Sequence, residues 1–265
     1  MDISLKTSRQ IQIMKQGGQK LSSILTQLFY LAKAGVNLLK IEEKAIQLIK
    51  LAGGQPAFAR VPNYHWATCL NVNDGIVHGV PKDYILKSGD VLNIDIGLFY
   101  QGFNTDMSAT VQIQNKSCKP MDKKYDEVEN FLLTGERALG EAIKQAKPGN
   151  RVGHISQKIQ QIIEGAGYNC SRNLTGHGVG LKLHEPPSIP CLLVKPVSET
   201  PLLQSGMTLA IEVIYVQGNP DLMTDQKDKW TVRTKDGKIA AVFEQTIALK
   251  RDGCLILTKL PFPPK

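Results

Sequence analysis

The chain contains one short motif twice, and this repeat constrains its fold more than any other feature of the sequence. The frame S-G-x-x-L-x-I-acid occurs at residues 88–95 and again at residues 205–212. We interpret each copy as a strand that ends on a carboxylate, Asp95 in the first copy and Glu212 in the second. The repeat therefore predicts a chain built from two related halves.

A second acid follows each copy of the motif. Asp106 is followed two residues later by the hydroxyl of Ser108, and Glu244 is followed in the same way by Thr246. If a pseudo-twofold axis relates the halves, the four carboxylates converge where the halves meet. Four converging carboxylates cannot all stay ionised unless cations lie between them. The duplication therefore predicts a metal site.

The segments upstream of the acids repeat as well. Lys33-Ala34-Gly35 is echoed by Lys147-Pro148-Gly149, and apolar residues of the second copy recur at helical spacing. We predict an α+β protein in which residues 1–265 form a single catalytic domain with two pseudo-twofold-related halves, roughly 1–118 and 119–265. The sheets are expected inside and the helices outside. The apolar residues that predict two amphipathic helices are Val128, Phe131, Leu132, Leu139, Ala142 and Ile143, then Ile155, Ile159, Ile162 and Ile163.

Length and composition fit a large globular chain, since 265 residues with 42% apolar content can bury a substantial core. The N-terminus lacks the pattern of a signal peptide, and no uninterrupted apolar run predicts a membrane span. The cysteines are odd in number and have no C-x-x-C spacing, which favours a reducing, cytoplasmic location over a disulfide framework. They are Cys69, Cys118, Cys170, Cys191 and Cys254.

The net charge of +8 raises the question of nucleic-acid binding. The lysines are spread along the chain, however, and no basic run is interleaved with aromatic residues. We therefore expect no dedicated nucleic-acid-binding module. A weak, salt-sensitive attraction to an anionic partner such as the ribosome is compatible with this charge.

Three of the five histidines lie near the acids in sequence stretches rich in glycine and proline. These are His78, His177 and His184, which we place in loops. Imidazole combined with carboxylate, without thiolate, is the ligand set expected for Mn, Fe(II), Co or Zn rather than for a structural zinc site.

Competing motifs are not complete. The glycines of residues 176–180 lack the G-x-G-x-x-G spacing of a dinucleotide-binding loop. His184-Glu185 begins an H-E-x-x-H motif, but Ser188 stands where the second histidine is required. Neither a G-x-S-x-G elbow nor a P-loop occurs, so a serine nucleophile or a phosphate-binding loop has no support.

The ordered motifs H-G-V-P, N-I-D, T-D-x-S, T-G-H-G-V-G, H-E-P-P, A-I-E and F-E-Q-T together resemble the type I methionine aminopeptidases. The resemblance runs from about Ile11 to Ile256. It implies the pita-bread fold and removal of the initiator methionine from nascent polypeptides, preferably when the second residue is small. It also implies two divalent metal ions per chain, bound by Asp95, Asp106, His177, Glu212 and Glu244, with Asp106 and Glu244 bridging.

The resemblance also implies roles for residues around the metals. His78 and His184 would contact the substrate, and Glu212 would transfer the proton of the attacking water. Tyr64, Cys69 and Trp230 match positions that line the methionine pocket in the family, and an aromatic and sulfur-lined slot suits a thioether. Leu183 and Val61 replace residues that are usually aromatic, so the pocket is expected to discriminate less sharply.

Two other hypotheses remain open at this point. One is an X-Pro dipeptidase or aminopeptidase P of the same fold, suggested by His184-Glu185-Pro186-Pro187. Such enzymes usually carry an additional N-terminal domain. The other is a metal-free binding protein of the same fold, against which the intact acids argue. The Pro-rich tail, residues 260–265, is expected to be a short flexible or wrapped extension.

Overall fold

A computed structural model describes residues 3–114 and 123–259. The predicted boundary between the halves near residue 118 and the Pro-rich tail lie outside these residues. Among the described residues, no helix is long and apolar enough to cross a membrane. The α-helices are α1 (Ser8–Leu31), α2 (Leu38–Leu51), α3 (Lys123–Gln145) and α4 (Val152–Gly165).

Local interactions at the helix starts explain where α1 and α2 begin. The Thr7 side chain accepts a hydrogen bond from the amide of Gln10, whose side chain accepts one from the amide of Thr7, and this capping box begins α1. Asn37 caps α2 through the amide of Leu39. The two amphipathic helices predicted from apolar spacing are confirmed as α3 and α4.

Strands make up the centre of the molecule. Along the chain they are β1 (Gln55–Pro56), β2 (Thr68–Val72), β3 (Gly75–Val77), β4 (Val91–Tyr100), β5 (Phe103–Gln112), β6 (Asn169–Cys170), β7 (Thr175–Gly178), β8 (Glu185–Pro190), β9 (Thr208–Val216), β10 (Leu222–Thr224), β11 (Val232–Thr234), β12 (Ala240–Lys250) and β13 (Gly253–Ile256).

One continuous sheet crosses both halves of the sequence. Its path is β1-β4-β5-β12-β9-β7-β8, and β2, β6 and β13 pair with β4, β9 and β12 respectively. The halves meet where β5 pairs with β12, through Ser108 opposite Glu244 and Met107 opposite Gln245. A smaller sheet has the order β10-β11-β3, so two strands from the second half of the sequence pair with one strand from the first half.

The two faces of the large sheet have different chemistry. Alternate residues of β4, including Ile94 and Ile96, belong to the same buried core as Leu21 and Leu25 of α1. In the other half, Val213 of β9 shares that core with residues of α3. The helices therefore cover one face, whereas the acidic residues, which alternate with these apolar ones, point to the other face.

The acids do not end their strands, so that prediction is wrong. Asp95 lies in the middle of β4, and Glu212 lies in the middle of β9. Both strands continue because buried apolar residues go on alternating beyond the acid, for example Ile96 and Leu98 in β4. After β4, the chain reverses only at the turn formed by Gln101 and Gly102.

Candidate metal centre and substrate pocket

Three acids of the repeat lie in one row across four strands of the sheet. Asp95 is opposite Ser108, Ser108 is opposite Glu244, and Glu244 is opposite Glu212. Residues directly opposite one another on antiparallel strands point to the same face. The strand register therefore brings Asp95, Glu244 and Glu212 together, as the sequence repeat predicted.

The remaining acid and a histidine occupy the next row. Asp106 is opposite Gly97, two residues beyond Asp95 on β4, and His177 is opposite Ala210, two residues before Glu212 on β9. The symmetry between the halves is thus approximate. Glu212 faces Glu244 directly, whereas Asp95 faces Ser108 rather than Asp106.

The side chains converge closely enough to share a cation. One ligand atom from each of Asp106, His177 and Glu244 lies within 4.8 Å of the others. Glu212 adjoins this group, with its Oε1 atom 3.5 Å from Nε2 of His177. Asp95 and Glu212 lie outside the most compact group but interact electrostatically with its carboxylates.

The four carboxyls cannot all stay ionised near neutral pH without a compensating charge. Burial raises the pKa of each one well above its ordinary value, and neighbouring carboxylates raise the pKa further. Oδ1 of Asp95, Oδ1 of Asp106 and Oε1 of Glu244 are buried and have no hydrogen-bond partner among the described residues. Buried polar atoms are normally paired, and carboxylate oxygens left in this way fit the coordination of divalent cations.

The protonation of His177 supports the same conclusion. Burial, followed by the nearby His184, lowers the pKa of His177 to about 3, so its ring is neutral. Its Nδ1 lies 2.9 Å from the carbonyl oxygen of Gly178, which can only accept, so Nδ1 carries the proton. Nε2 therefore presents a lone pair toward the carboxylate of Glu212, an arrangement suited to a shared cation.

The histidines come together, although not all from loops as expected. His177 lies within β7, where it pairs with β8 and β9, because the flanking glycines allow close backbone approach. His184 immediately precedes β8 and packs edge-on against His177, with ring centroids 4.4 Å apart. His78 follows β3 in a left-handed conformation, with a φ of 56°, and its ring centroid lies 6.3 Å from that of Trp230. Burial lowers the pKa of both His78 and His184.

The predicted pocket residues form one cluster beside the acids. The Tyr64 hydroxyl donates to the carbonyl oxygen of Thr68 at 2.9 Å and lies 3.1 Å from Sγ of Cys69. Cys69 is directly opposite Asp95 in the sheet, which places this cluster against the acidic row. The Tyr64 and Trp230 rings pack edge to face at 5.1 Å. The cluster contains Ala57, Phe58, Tyr64, Cys69 and Val80, with Val61, Trp66, Leu183 and Trp230 packed against it.

Polar residues that the sequence did not identify as part of the site hold this arrangement. Asn93, two residues before Asp95 on the same face, donates through its Nδ2 to Oγ of Ser108, at 2.7 Å, and to the carbonyl oxygen of Val242, at 3.2 Å. Thr246 accepts from the amide of Asp106 at 2.9 Å. The hydroxyls of Ser108 and Thr246, which follow the acids in the repeat, therefore connect the acidic strands through hydrogen bonds. Asn93 lies inside the repeated motif, so the sequence alone could have identified it.

The sequence pattern of metallopeptidase family M24 matches residues 12–251. The chain belongs to this family. Methionine aminopeptidase from Mycoplasma capricolum subsp. capricolum is 36% identical over 257 residues, which are 97% of this chain and 98% of that protein. The family membership predicted from the ordered motifs is confirmed.

Solved structures agree with this assignment to family M24. The structure of methionine aminopeptidase from Thermotoga maritima superimposes with a TM-score of 0.90 and 33% identity, over 97% of this chain and 100% of that chain. Prolidase from Pyrococcus furiosus has a TM-score of 0.74 and 23% identity, over 97% of this chain but 66% of that chain. The predicted α+β pita-bread fold is confirmed, and the prolidase similarity concerns the fold alone.

Proposed function

We propose that this M24 metallopeptidase removes the N-terminal methionine from peptides and nascent polypeptides, preferably when the second residue is small. The observation that carries this proposal is the convergence of the buried residues Asp106, His177 and Glu244, with Asp95 and Glu212 adjoining them, beside an apolar, sulfur-containing cluster. Similarity along almost the whole length of methionine aminopeptidases from several bacteria supports it.

Five residues would hold two divalent ions, as the family resemblance implies. Asp106 and Glu244 would bridge the ions, and Asp95, His177 and Glu212 would complete the set. The mixture of carboxylate and imidazole suits Mn, Fe(II), Co or Zn. When bound, such ions lower the pKa of a coordinated water and polarise the substrate carbonyl.

The remaining chemistry belongs to the side chains around the ions. Glu212 would take the proton from the attacking water and return it to the departing amine. His184 and His78 would donate hydrogen bonds to the developing oxyanion or to the scissile amide, where charge appears only in the transition state. Their lowered pKa values keep both rings neutral near pH 7, so each can donate from one nitrogen and accept at the other.

The pocket supplies the preference for methionine. Tyr64, Cys69 and Trp230 would line a slot for the unbranched thioether, and Leu183 would form part of its wall. Sulfur beside aromatic edges is a favourable contact. Substrate chains would approach from solvent on the acidic face, since the helices cover the opposite face.

The family includes enzymes that act on X-Pro bonds, and these form the second candidate function. His184-Glu185-Pro186-Pro187 favours this alternative, but the relatives that are 34–36% identical over 97% of this chain are methionine aminopeptidases. A metal-free binding protein is disfavoured, because buried carboxylates without cations are costly.

We place the reaction in the cytoplasm, where nascent N-termini become available. Cys69, Cys170, Cys191 and Cys254 are free thiols, which supports a reducing location. The net charge of +8 supports weak electrostatic association with the ribosome.

A peptide panel tests this function. Metal-stripped protein is reloaded separately with Mn, Fe(II), Co or Zn and assayed on Met-Ala-Ser, Met-Leu-Ser, Leu-Ala-Ser and Ala-Pro-Ser, with Asp106→Asn as the inactive control. We expect cleavage of Met-Ala-Ser well above the other peptides with at least one of these metals. Preferential cleavage of Ala-Pro-Ser would favour the X-Pro alternative, and no cleavage with any metal would refute both enzymatic hypotheses.

A further inference from the structure

A buried ion pair lies next to one of the proposed catalytic histidines. The ammonium of Lys6 contacts Oε2 of Glu185, and their side chains are only 3% and 7% exposed. Lysine is rarely buried so completely, and a buried ion pair is seldom more stable than an apolar pair of similar size. Stability alone is therefore a poor explanation for this contact.

The pair is connected to the segment that carries His184. Glu185 directly follows His184, and its Oε1 atom accepts a hydrogen bond from the amide of Lys182 at 2.9 Å. The Glu185 carboxylate thus connects Lys6 both to Lys182, which precedes His184, and to Glu185 itself, which follows it. The His184 ring packs against His177, so a shift of this segment would move His184 relative to the acids.

The neighbouring backbone is shaped to admit the lysine. A Cβ atom on Gly180 would lie 2.3 Å from Cε of Lys6, so no larger residue fits there without displacing the lysine. On another side, the carbonyl oxygen of Gly180 accepts hydrogen bonds from the amide of Asn104 at 2.7 Å and from its side chain at 2.9 Å. Lys6 and Asn104 therefore hold residues 180–185 together.

Lys6 is itself fixed by the second copy of the repeated motif. Its amide donates to the carbonyl oxygen of Gly206 at 2.7 Å, and the next residue, Thr7, caps α1. The extended segment before α1 thus has a defined position at the start of β9. The Lys6 side chain connects this segment to the residues around His184 through its contact with Glu185.

We propose that Lys6 is a positioning residue for catalysis. Through Glu185 it fixes the segment of residues 180–185 and so holds His184 in the orientation that turnover requires. This inference rests on the proposed aminopeptidase function. It concerns the orientation of His184, and it does not involve metal binding or the methionine pocket.

The test compares Lys6→Met and Lys6→Arg in the wild-type and His184→Ala backgrounds. Lys144→Met is the matched control, because Lys144 forms an exposed pair with Glu141. The readouts are kcat and KM on Met-Ala-Ser, bound metal, and hydrogen exchange across residues 180–186. Wild-type turnover is measured first, since its absence would count against the proposed function rather than against the role of Lys6.

We expect Lys6→Met to lower kcat by about tenfold or more, with KM and bound metal nearly unchanged, because small displacements of catalytic groups have large effects on rate. Lys6→Arg should retain most of the activity. In the His184→Ala background the further loss should be less than about twofold, since residues that act as a unit are not additive. Exchange at the Lys182 amide should increase in Lys6→Met whether or not turnover is detected.

An equal fold-loss of kcat in both backgrounds, or unchanged kcat with unchanged exchange, would overturn the inference. Should Lys6→Met fail to fold because Glu185 is left unpaired, the double variant Lys6→Met/Glu185→Gln removes that charge. We again expect kcat to be lower than in the wild-type protein, with a smaller fold-loss in the His184→Ala background. A wild-type kcat in the double variant would refute the role of Lys6.

Discussion

The hydroxyl of Thr231 accepts a hydrogen bond from the amide of Val80 at 3.1 Å and donates one to the carboxylate of Asp228 at 2.6 Å. Val80 is two residues from His78, and Asp228 also accepts from the amide of Trp230 at 2.9 Å. A single buried hydroxyl therefore joins the turn that carries His78 to the segment that carries Trp230. The proposed substrate contact, His78, and the proposed pocket residue, Trp230, come from different halves of the sequence but share this support.

Replacing this hydroxyl should disturb both groups. Thr231→Val keeps the shape of the side chain but leaves the Val80 amide without its acceptor, which costs about 1–3 kcal/mol. We expect a lower thermal midpoint and about a tenfold loss of kcat/KM on Met-Ala-Ser, with bound metal unchanged. Thr224→Val, at an exposed position of β10, is the control. Wild-type kinetics in Thr231→Val would show that the bridge does not position either group.

Removing one proposed bridging carboxylate should abolish metal binding and activity together. In Asp106→Asn or Glu244→Gln the ions would lose a shared ligand while shape is conserved, so the protein should still fold. Metal content by mass spectrometry and turnover are the measurements, and Glu141→Gln, on the exposed end of α3, is the control. Two ions per chain with normal turnover in either variant would disprove the assignment.

The histidines outside the ligand set should behave differently. His184→Ala or His78→Ala should keep bound metal near the wild-type amount, because neither is placed among the ligands. We expect kcat to fall by about two or more orders of magnitude, as for a lost oxyanion donor or proton-transfer group. Loss of metal in one variant would identify that histidine as a ligand instead.

Leu183 stands where this family usually has an aromatic residue, so an aromatic substitution at this position should increase the specificity for methionine. If Leu183 widens the slot, Leu183→Phe should restore an aromatic wall and raise the ratio of kcat/KM for Met-Ala-Ser over Leu-Ala-Ser. A methylene-sized difference in fit is worth about 1–3 kcal/mol, so the change should be about tenfold. Leu181→Phe, at an exposed site two residues away, should leave the ratio unchanged. An unaltered ratio in Leu183→Phe places that residue outside the pocket.

Metal removal should make stability sensitive to pH. The four acids have a raised pKa in the fold, so the metal-free protein is favoured while they are protonated and loses stability as pH rises through those pKa values. The lowered pKa of His177 acts in the opposite direction only below its ordinary value of 6.5. Above about pH 6.5 we therefore expect the thermal midpoint of chelated protein to fall, and excess Mn²⁺ to restore it. A midpoint that rises over this range without metal would contradict the electrostatic account.

The sequence was sufficient to predict the acids because Asp95 and Glu212 end the two copies of a repeated motif, and one further acid follows each copy. Duplicated strands with the same alternation bring matched residues to the same face, so Asp95 and Glu212 could be associated without a structure. The repeat did not reveal the register in which the strands pair. Asp95 faces Ser108 rather than Asp106, and this depends on how long each hairpin extends before it turns.

Contacts distant in sequence were also beyond prediction. Lys6 and Glu185 are separated by 179 positions, and each appears in sequence as an ordinary surface charge. His177 was expected in a loop because glycines flank it, yet the same glycines allow β7 to pack between two strands. Glycine indicates backbone freedom, but neighbouring strands decide whether that freedom gives a turn or a close approach.

The strands that end the path of the large sheet both contain proline. β1 ends at Pro56, and β8 carries Pro186, Pro187 and Pro190. A proline has no amide hydrogen to offer, so β8 cannot form a regular ladder with a strand of another molecule along its outer edge. The cluster of prolines beside His184 thus has a protective effect separate from catalysis: it limits edge-to-edge aggregation of a sheet that is otherwise long and largely apolar.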